Sequence, residues 1–381
     1  MQLSVIILNY NVRYFLEHCL KSVQKAIENL DAQIIVVDNN SPDDSCEMVK
    51  TLFPKVILIE NNENAGFPKG NNIGVQQAKG KYICILNPDT VVAEDTFEKI
   101  LAFAEKQEKL GIIGCKLIDG TGKFLPESKR GIPTTWVAFG KIAGLYKLFP
   151  KVKKFQKYYA QHLDENSTGQ VDILVGAFMV LQKATYEQLG GFDERYFMYG
   201  EDIDLSYRIL KAGFKNYYFG EIQAVHFKGE STTKDQVYLE RFYNAMYIFY
   251  KKHFRNYKTS YELVKQILKL AKIIEEIKLK SLKPMDASKR YTLIITEDSC
   301  LTKQIKSKIA TEVNSAVKIP EEFTNTLIVF DAESISYKES IEALIKAKHK
   351  NNIFRYRPRK QNFIIGSESK HFKGVILKLN E

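Results

Sequence analysis

The chain of 381 residues has no run of about twenty apolar residues, so no segment reads as a membrane-spanning helix. Its first apolar stretch, Leu3 to Leu8, lacks a preceding basic region and ends at Asn9, too short for a secretory signal. The protein is therefore expected in the cytoplasm, meeting a membrane only from its surface. The five cysteines, Cys19, Cys46, Cys84, Cys115 and Cys300, form no CxxC pair and have no zinc-site spacing. Such an odd, scattered set fits a reducing compartment better than a disulfide framework. Cys84, inside the run Tyr82 to Leu86, reads as a buried free thiol. Zinc-finger, RNP-type and helix-turn-helix signatures are missing as well, so no nucleic-acid partner is expected despite a formal net charge of +11. That charge suits an anionic membrane surface, a phosphate-rich substrate, or simply a lysine-rich composition. No internal repeat or low-complexity tract occurs, and 45% hydrophobic with 27% charged residues is the composition of a folded globular protein.

What is present begins as an alternation. Leu3 to Leu8, Gln33 to Val37, Val56 to Glu60 and Tyr82 to Leu86 read as strands. Arg13 to Asn29, Asp43 to Phe53 and Lys69 to Lys79 read as helices between them. Continuous apolar strands joined by helices are the pattern of buried parallel strands, which predicts a Rossmann-like α/β domain. Ligands of such sheets sit beyond the carboxyl ends of the strands. The informative residues are thus Asn9-Tyr10-Asn11, Asp38-Asn39-Asn40-Ser41 and Asn87-Pro88-Asp89-Thr90.

Farther along, Val171 to Leu181 is a strand-like run. Ala184 to Leu189, Asp202 to Ala212 and Asp235 to His253 are helical patterns. The stretch from Asp119 to Gly169 gives no clear pattern. Its lysines Lys141, Lys147, Lys151, Lys153, Lys154 and Lys157, mixed with aromatics, form either a solvated insertion or a basic surface for lipid phosphates or an acceptor. Tyr261 to Leu282 has amphipathic helical spacing, for packing on its own domain, a dimer contact, or a membrane surface. Lys283 to Lys289 is a linker. From Arg290 a second α/β series follows: strands at Tyr291 to Thr296, Thr326 to Phe330 and Asn362 to Ile365, helices at Ser299 to Glu312 and Lys338 to Lys348. The expected division is a Rossmann-like α/β domain over 1–255, an amphipathic helix and linker over 256–289, and a small α/β module over 290–381.

Several segments carry chemistry, each with a plain alternative. Asp38 can accept hydrogen bonds from a base or ribose, although Asp-Asn-Asn-Ser is also turn chemistry. Asn64-Ala65-Gly66-Phe67-Pro68-Lys69-Gly70-Asn71-Asn72-Ile73-Gly74 leads into a helix whose free amides suit a phosphate; it is neither GxGxxG nor a Walker loop, and a glycine-rich turn is the alternative. Asp89 follows a strand, where one carboxylate plus diphosphate oxygens is a common way to hold Mg²⁺; an Asn-Pro-Asp turn is the alternative. Glu201, Asp202 and Asp204 open a helix, which their charge alone would favour, yet a positioned carboxylate there can take a proton from a sugar hydroxyl. His226 is either structural or a metal ligand.

In order along the chain, Val5 to Asn11, Val36 to Ser41, Asn64 to Gly74, Leu86 to Asp89, Gly190-Gly191-Phe192-Asp193-Glu194, Tyr199 to Leu205 and His226 closely resemble the family-2 glycosyltransferases of GT-A fold. Asn87-Pro88-Asp89 resembles the rhamnosyltransferase-type branch that builds bacterial surface polysaccharide or lipopolysaccharide. The resemblance spans roughly Met1 to Arg255. It implies an inverting hexosyltransferase using a nucleotide-diphosphate sugar and a saccharide acceptor, with a lipid-diphosphate-linked acceptor at an anionic membrane as the expected form. Asp38 would bind base or ribose, with Asn9, Tyr10, Asn11, Asn40, Gly66, Phe67, Asn71 and Asn87 around the donor nucleotide. Asp89 and His226 would hold a divalent metal, Mg²⁺ or Mn²⁺. Only the last acid of the family's metal motif remains, so the diphosphate must help. Asp202 would be the catalytic base, with Glu201 and Asp204 in support or at the acceptor. The alternatives are a nucleotidyltransferase, disfavoured by Asn9-Tyr10-Asn11-Val12 after the first strand, and a catalytically degenerate nucleotide-sugar-binding scaffold of a polysaccharide assembly complex.

Overall fold

A computed structural model describes residues 1–133, 159–230, 236–254, 291–309, 311–368 and 373–379, with single positions 266, 269, 272 and 273. The basic segment Lys141 to Lys157 and the linker Lys283 to Lys289 lie outside the described residues, as does most of the helical pattern Tyr261 to Leu282.

The first strand, β1 (Leu3–Asn9), is buried at every position, as its unbroken apolar run requires of a central parallel strand. It pairs in parallel with β2 (Ala32–Asp38) and β4 (Tyr82–Leu86), and β2 pairs with the edge strand β3 (Ile57–Glu60). The strands that follow make the sheet mixed rather than uniformly parallel. They are β5 (Thr90–Val92), β6 (Leu110–Ile118), β8 (Gly169–Gln170), β10 (Phe178–Gln182) and β11 (Lys215–His226). The order is β3-β2-β1-β4-β10-β6-β11-β5, with β8 on β11. Val171 to Leu181 is not one strand: β9 (Ile173–Leu174) pairs instead with β7 (Lys129–Arg130), and the chain turns at Val175-Gly176-Ala177 before β10.

Alternation along β1 divides two cores. Leu3, Val5 and Ile7 meet α1 (Arg13–Ala26), α2 (Ser45–Leu52) and α4 (Thr96–Ala104). Ile6 and Leu8 meet α3 (Gly66–Gln76), α5 (Lys183–Gln188) and α6 (Glu201–Lys211). Gly70 and Gly74 let α3 lie close on the sheet. A Cβ on Gly70 would collide with Leu8, and one on Gly74 would lie 2.6 Å from Ile6 Cγ2.

The C-terminal part forms a second sheet, in the order β13 (Val313–Ala316), β12 (Tyr291–Ile295), β14 (Thr326–Asp331), β15 (Ile353–Arg357), β16 (Phe363–Gly366), β17 (Val375–Lys378). Its helices are α8 (Ser299–Lys308) and α9 (Tyr337–Lys346). The two sheets share a core: Val12, Phe15, Val91 and Phe227 pack with Leu293, Ile295, Ile328, Phe330, Tyr356 and Ile365. Glu94 accepts from the first amides of α9, Tyr337 and Lys338, at 2.8 and 3.0 Å. Burying one phenylalanine contributes about 1.5–3 kcal/mol, while an exposed ion pair contributes roughly 0–1. Phe15 and Phe227, 3% and 1% exposed, therefore outweigh the surface pairs in holding the module.

Candidate active site

The carboxyl ends of β1 and β2 bring Asn9 and Asp38 side by side in register. Asn9 Nδ2 donates to Asp38 Oδ2 at 2.7 Å and to Ser41 Oγ at 3.1 Å. Ser41 donates its amide to Asp38 Oδ1 and its hydroxyl to Oδ2, both at 2.7 Å. Asp38 is thus committed to bracing the loops, and at 2% exposure it offers little surface. Tyr10, Asn11 and Asn40 are the exposed members of this end; both asparagines are left-handed, at φ 58° and 60°, a conformation asparagine tolerates. Asn39, unassigned by its sequence, ties this end to the next loop: it donates to Gly66 O at 3.1 Å and accepts from Asn61 at 2.8 Å.

Gly66 starts α3 at φ 80°, and a Cβ there would lie 2.5 Å from Phe197 O. The opening amides of α3 are not offered to a phosphate: Gly66 donates to Asn64 Oδ1 at 3.1 Å, Phe67 donates to Phe197 O at 2.8 Å, and Pro68 has none. Asn71 is fully buried and donates to Phe67 O. Its neighbour Asn72 is the long-range tether: it accepts from Tyr186 Oη at 2.5 Å and from the Phe192 amide at 3.0 Å. It also donates to Glu194 Oε1 at 2.8 Å, which joins the glycine-rich segment to Gly190-Gly191-Phe192-Asp193-Glu194.

Asn87, Asp89 and His226 converge. His226 Nε2 lies 3.3 Å from Asp89 Oδ1 and 3.3 Å from Asn87 Nδ2. Asp89 Oδ2 accepts the Lys228 amide at 3.0 Å, whereas Asp89 Oδ1 and Asn87 Oδ1 are buried with no hydrogen-bond donor. Burial pushes the Asp89 carboxyl up, but His226 and the nearby amides outweigh it and hold it below the usual carboxylate range. Among the described residues no group of three or more His, Cys, Asp or Glu side chains is arranged to hold a metal. The chemistry of the pair, one orphaned carboxylate oxygen beside an imidazole nitrogen, fits a divalent cation whose other ligands come from a diphosphate and water.

Gly200, left-handed at φ 77°, turns the chain into α6 and buries its three acids. They separate in role. Asp204 is fully buried and accepts from Arg208 Nε at 2.6 Å, Lys252 Nζ at 2.7 Å and His253 Nε2 at 2.7 Å. It locks α6 to α7 (Gln236–His253). Asp202 Oδ2 accepts from Arg130 Nη2 at 2.6 Å and the Gly176 amide at 3.2 Å, and Oδ1 accepts from the Ile203 amide at 2.8 Å. Arg130 comes from β7, in the stretch whose sequence gave no pattern. A lone arginine there carries no signal until the pairing of β7 with β9 places it. Gly176 sits between Asp202 Cβ and the Phe67 ring, 3.4 and 3.6 Å from where its Cβ would be. Its neighbour Ala177 accepts the Asn87 amide at 3.0 Å. One turn therefore contacts the Asp202 side and the Asn87–Asp89–His226 side.

Burial, then the charge of Asp202, pushes the Glu201 carboxyl above its ordinary range. A carboxyl raised in the folded state stabilises fully below its ordinary value of 4.5, and that contribution is lost as pH rises through the folded value. Glu201→Gln is expected to flatten the fall in thermal stability above about pH 5. Melting curves across buffers test this, and parallel wild-type and variant profiles would count against the titration.

A polar cluster at the strand ends of an α/β sheet is the setting of a nucleotide-binding enzyme. Residues 4–189 match the glycosyl transferase family 2 model, and residues 165–236 match the N-terminal domain of galactosyltransferase. The chain is 28% identical over 259 residues to the N-acetylglucosaminyl-diphospho-decaprenol L-rhamnosyltransferase of Mycobacterium tuberculosis strain H37Rv, covering 65% of this chain and 83% of that protein. Rhamnosyltransferase WbbL of Escherichia coli K12 is 29% identical over 222 residues, covering 54% and 78%. Among solved structures, Pyrobaculum calidifontis mannosyltransferase in complex with GDP-Man and Mn²⁺ superposes with a TM-score of 0.46 at 17% identity, over 74% of this chain and 76% of that one. S. aureus TarS 1–349 gives a TM-score of 0.43 at 16% identity, over 65% and 64%. The chain carries a glycosyltransferase family 2 domain, and the protein is a glycosyltransferase.

Proposed function

We propose that the protein transfers a hexose, rhamnose being the first candidate, from a nucleoside-diphosphate donor to a hydroxyl of a saccharide acceptor, with inversion, in the assembly of cell-surface polysaccharide or lipopolysaccharide. The observation that carries this is the Gly176-Ala177 turn, which contacts the Asp202 carboxylate on one side and the Asn87 backbone on the other. A base and a diphosphate-binding end flank the place where an anomeric carbon would sit.

The carboxylate of Asp202 has about four acceptor directions. Arg130, Gly176 and Ile203 take three, leaving one on Oδ1 for an acceptor hydroxyl. As the acceptor oxygen bonds to the anomeric carbon, Asp202 takes its proton, and the bond from that carbon to the diphosphate oxygen breaks. Arg130 and the two amides hold the carboxylate in one orientation throughout. Asp89 and His226 would hold Mg²⁺ or Mn²⁺ beside the diphosphate, and the bound ion would supply positive charge against the leaving group. Tyr10, exposed at the end of β1, is the residue expected against the nucleobase of the donor.

The name of the mycobacterial relative describes a saccharide on a polyprenyl diphosphate, which supports a lipid-diphosphate-linked acceptor here. Among the described residues no helix is long and apolar enough to cross a membrane. In this reading the enzyme works in the cytoplasm and meets such an acceptor at the membrane face. Thermal unfolding with a panel of nucleotides and nucleotide sugars, with and without Mn²⁺ or Mg²⁺, tests the reading. One nucleoside diphosphate is expected to stabilise only with metal, by about 2.7 kcal/mol at a hundred times its Kd. A well-folded protein that no nucleotide or nucleotide sugar stabilises would overturn the proposed donor site.

A further inference from the structure

The loop after β11 belongs to both sheets. Phe227, next to His226, is buried in the shared core with its ring 5.2 Å from Phe15 and 6.1 Å from Tyr356. Its amide donates to Asp89 O at 3.0 Å, and the next amide, Lys228, donates to Asp89 Oδ2 at 3.0 Å. Lys228 and Gly229 both have positive φ, 62° and 90°; glycine takes this freely, whereas the lysine conformation is unfavoured and needs holding from outside the loop. The hold comes one residue later. Glu230 is 5% exposed, and both its carboxylate oxygens accept the Gly374 amide, at 2.9 and 2.8 Å. Gly374 enters β17, and a Cβ there would lie 2.6 Å from Phe15 and 2.8 Å from Glu230 Oε1, so the strand approaches as closely as glycine allows.

We propose that the C-terminal module positions the diphosphate end of the donor site, and that Glu230 is the positioning residue through which it acts. The module grips the loop at Phe227 and Glu230; the loop in turn sets His226 and aims the Lys228 amide at Asp89. Glu230 itself contacts no reacting atom. The inference rests on the proposed roles of Asp89 and His226.

The test compares Glu230→Ala and Glu230→Gln with Glu94→Ala in the full-length chain. Glu94→Ala loosens the same module at the start of α9, away from the loop. Mn²⁺ affinity in the presence of a nucleoside diphosphate is measured by titration calorimetry, alongside melting temperature and the KM and kcat of transfer. Outer partners of metal ligands are typically worth about 10–100-fold in metal affinity. Glu230→Ala is expected to weaken Mn²⁺ by that factor and raise donor KM more than it lowers kcat. Glu230→Gln, which keeps an oxygen for the Gly374 amide, should recover most of the loss. Glu94→Ala should lower the melting temperature with Mn²⁺ affinity unchanged. Equal Mn²⁺ affinity in wild type and Glu230→Ala, or losses that track melting temperature in all three variants, would overturn the positioning role. A wild-type protein without metal-dependent nucleotide binding would overturn the proposed metal site itself, a result read from wild type alone.

Discussion

Asp202→Asn should fold and bind donor yet lose about 10²–10⁴-fold in turnover, the usual worth of a positioned general base. The substitution is nearly isosteric, but an amide cannot take the acceptor proton. It also cannot satisfy all present donors: Arg130 and Gly176 point at one oxygen and the Ile203 amide at the other, where Asn would place an NH₂ group. A stability loss of about 1–3 kcal/mol is therefore expected as well, from a weakened charged hydrogen bond. Single-turnover transfer, measured beside donor affinity, separates the two effects. Turnover near wild type would remove Asp202 from the role. A drop in donor affinity as large as the drop in turnover would make it a binding residue.

The second large effect is expected at Asp89. Asp89→Asn retains an oxygen for the Lys228 amide but removes the charge beside His226. Metal-dependent stabilisation by a nucleoside diphosphate should vanish, and transfer should fall by more than about 100-fold, beyond the loss typical of outer metal partners. Because the Asp89 carboxyl is held below its ordinary value of 3.8, its charge stabilises the fold above that pH, and the contribution is lost as pH falls through the folded value. The variant should accordingly lose less stability than wild type on acidification. Metal-dependent stabilisation that survives in the variant would place the cation elsewhere.

Strands that are apolar from end to end were legible because central parallel strands bury both faces: β1, β2 and β4 fall within a residue or two of their apolar runs. Short or interrupted pieces were not. β5 and β7 have three and two residues, too few for a period. The segment Val171 to Leu181 hid a turn, because Val175 and Ala177 are as apolar as the strands on either side. The acids at positions 201, 202 and 204 looked alike as a helix start. The family resemblance singled out Asp202, and the structure adds what holds each: Arg130 and two amides at Asp202, a cage of three basic groups at Asp204, and an unpartnered buried oxygen at Glu201.

By itself, then, the sequence determined the α/β alternation, the strand ends where polar residues gather, and the order of motifs that the family-2 domain shares. Tertiary structure alone decided that Asp38 and Asp204 brace the protein, that Arg130 reaches Asp202, and that Glu230 meets Gly374 across 144 positions. Local pattern follows from side chains a few residues apart, through helix and strand periodicity. Whether a carboxylate is caged, aimed or left with an open oxygen depends on donors delivered from distant segments, and their arrival is set by how the two sheets pack.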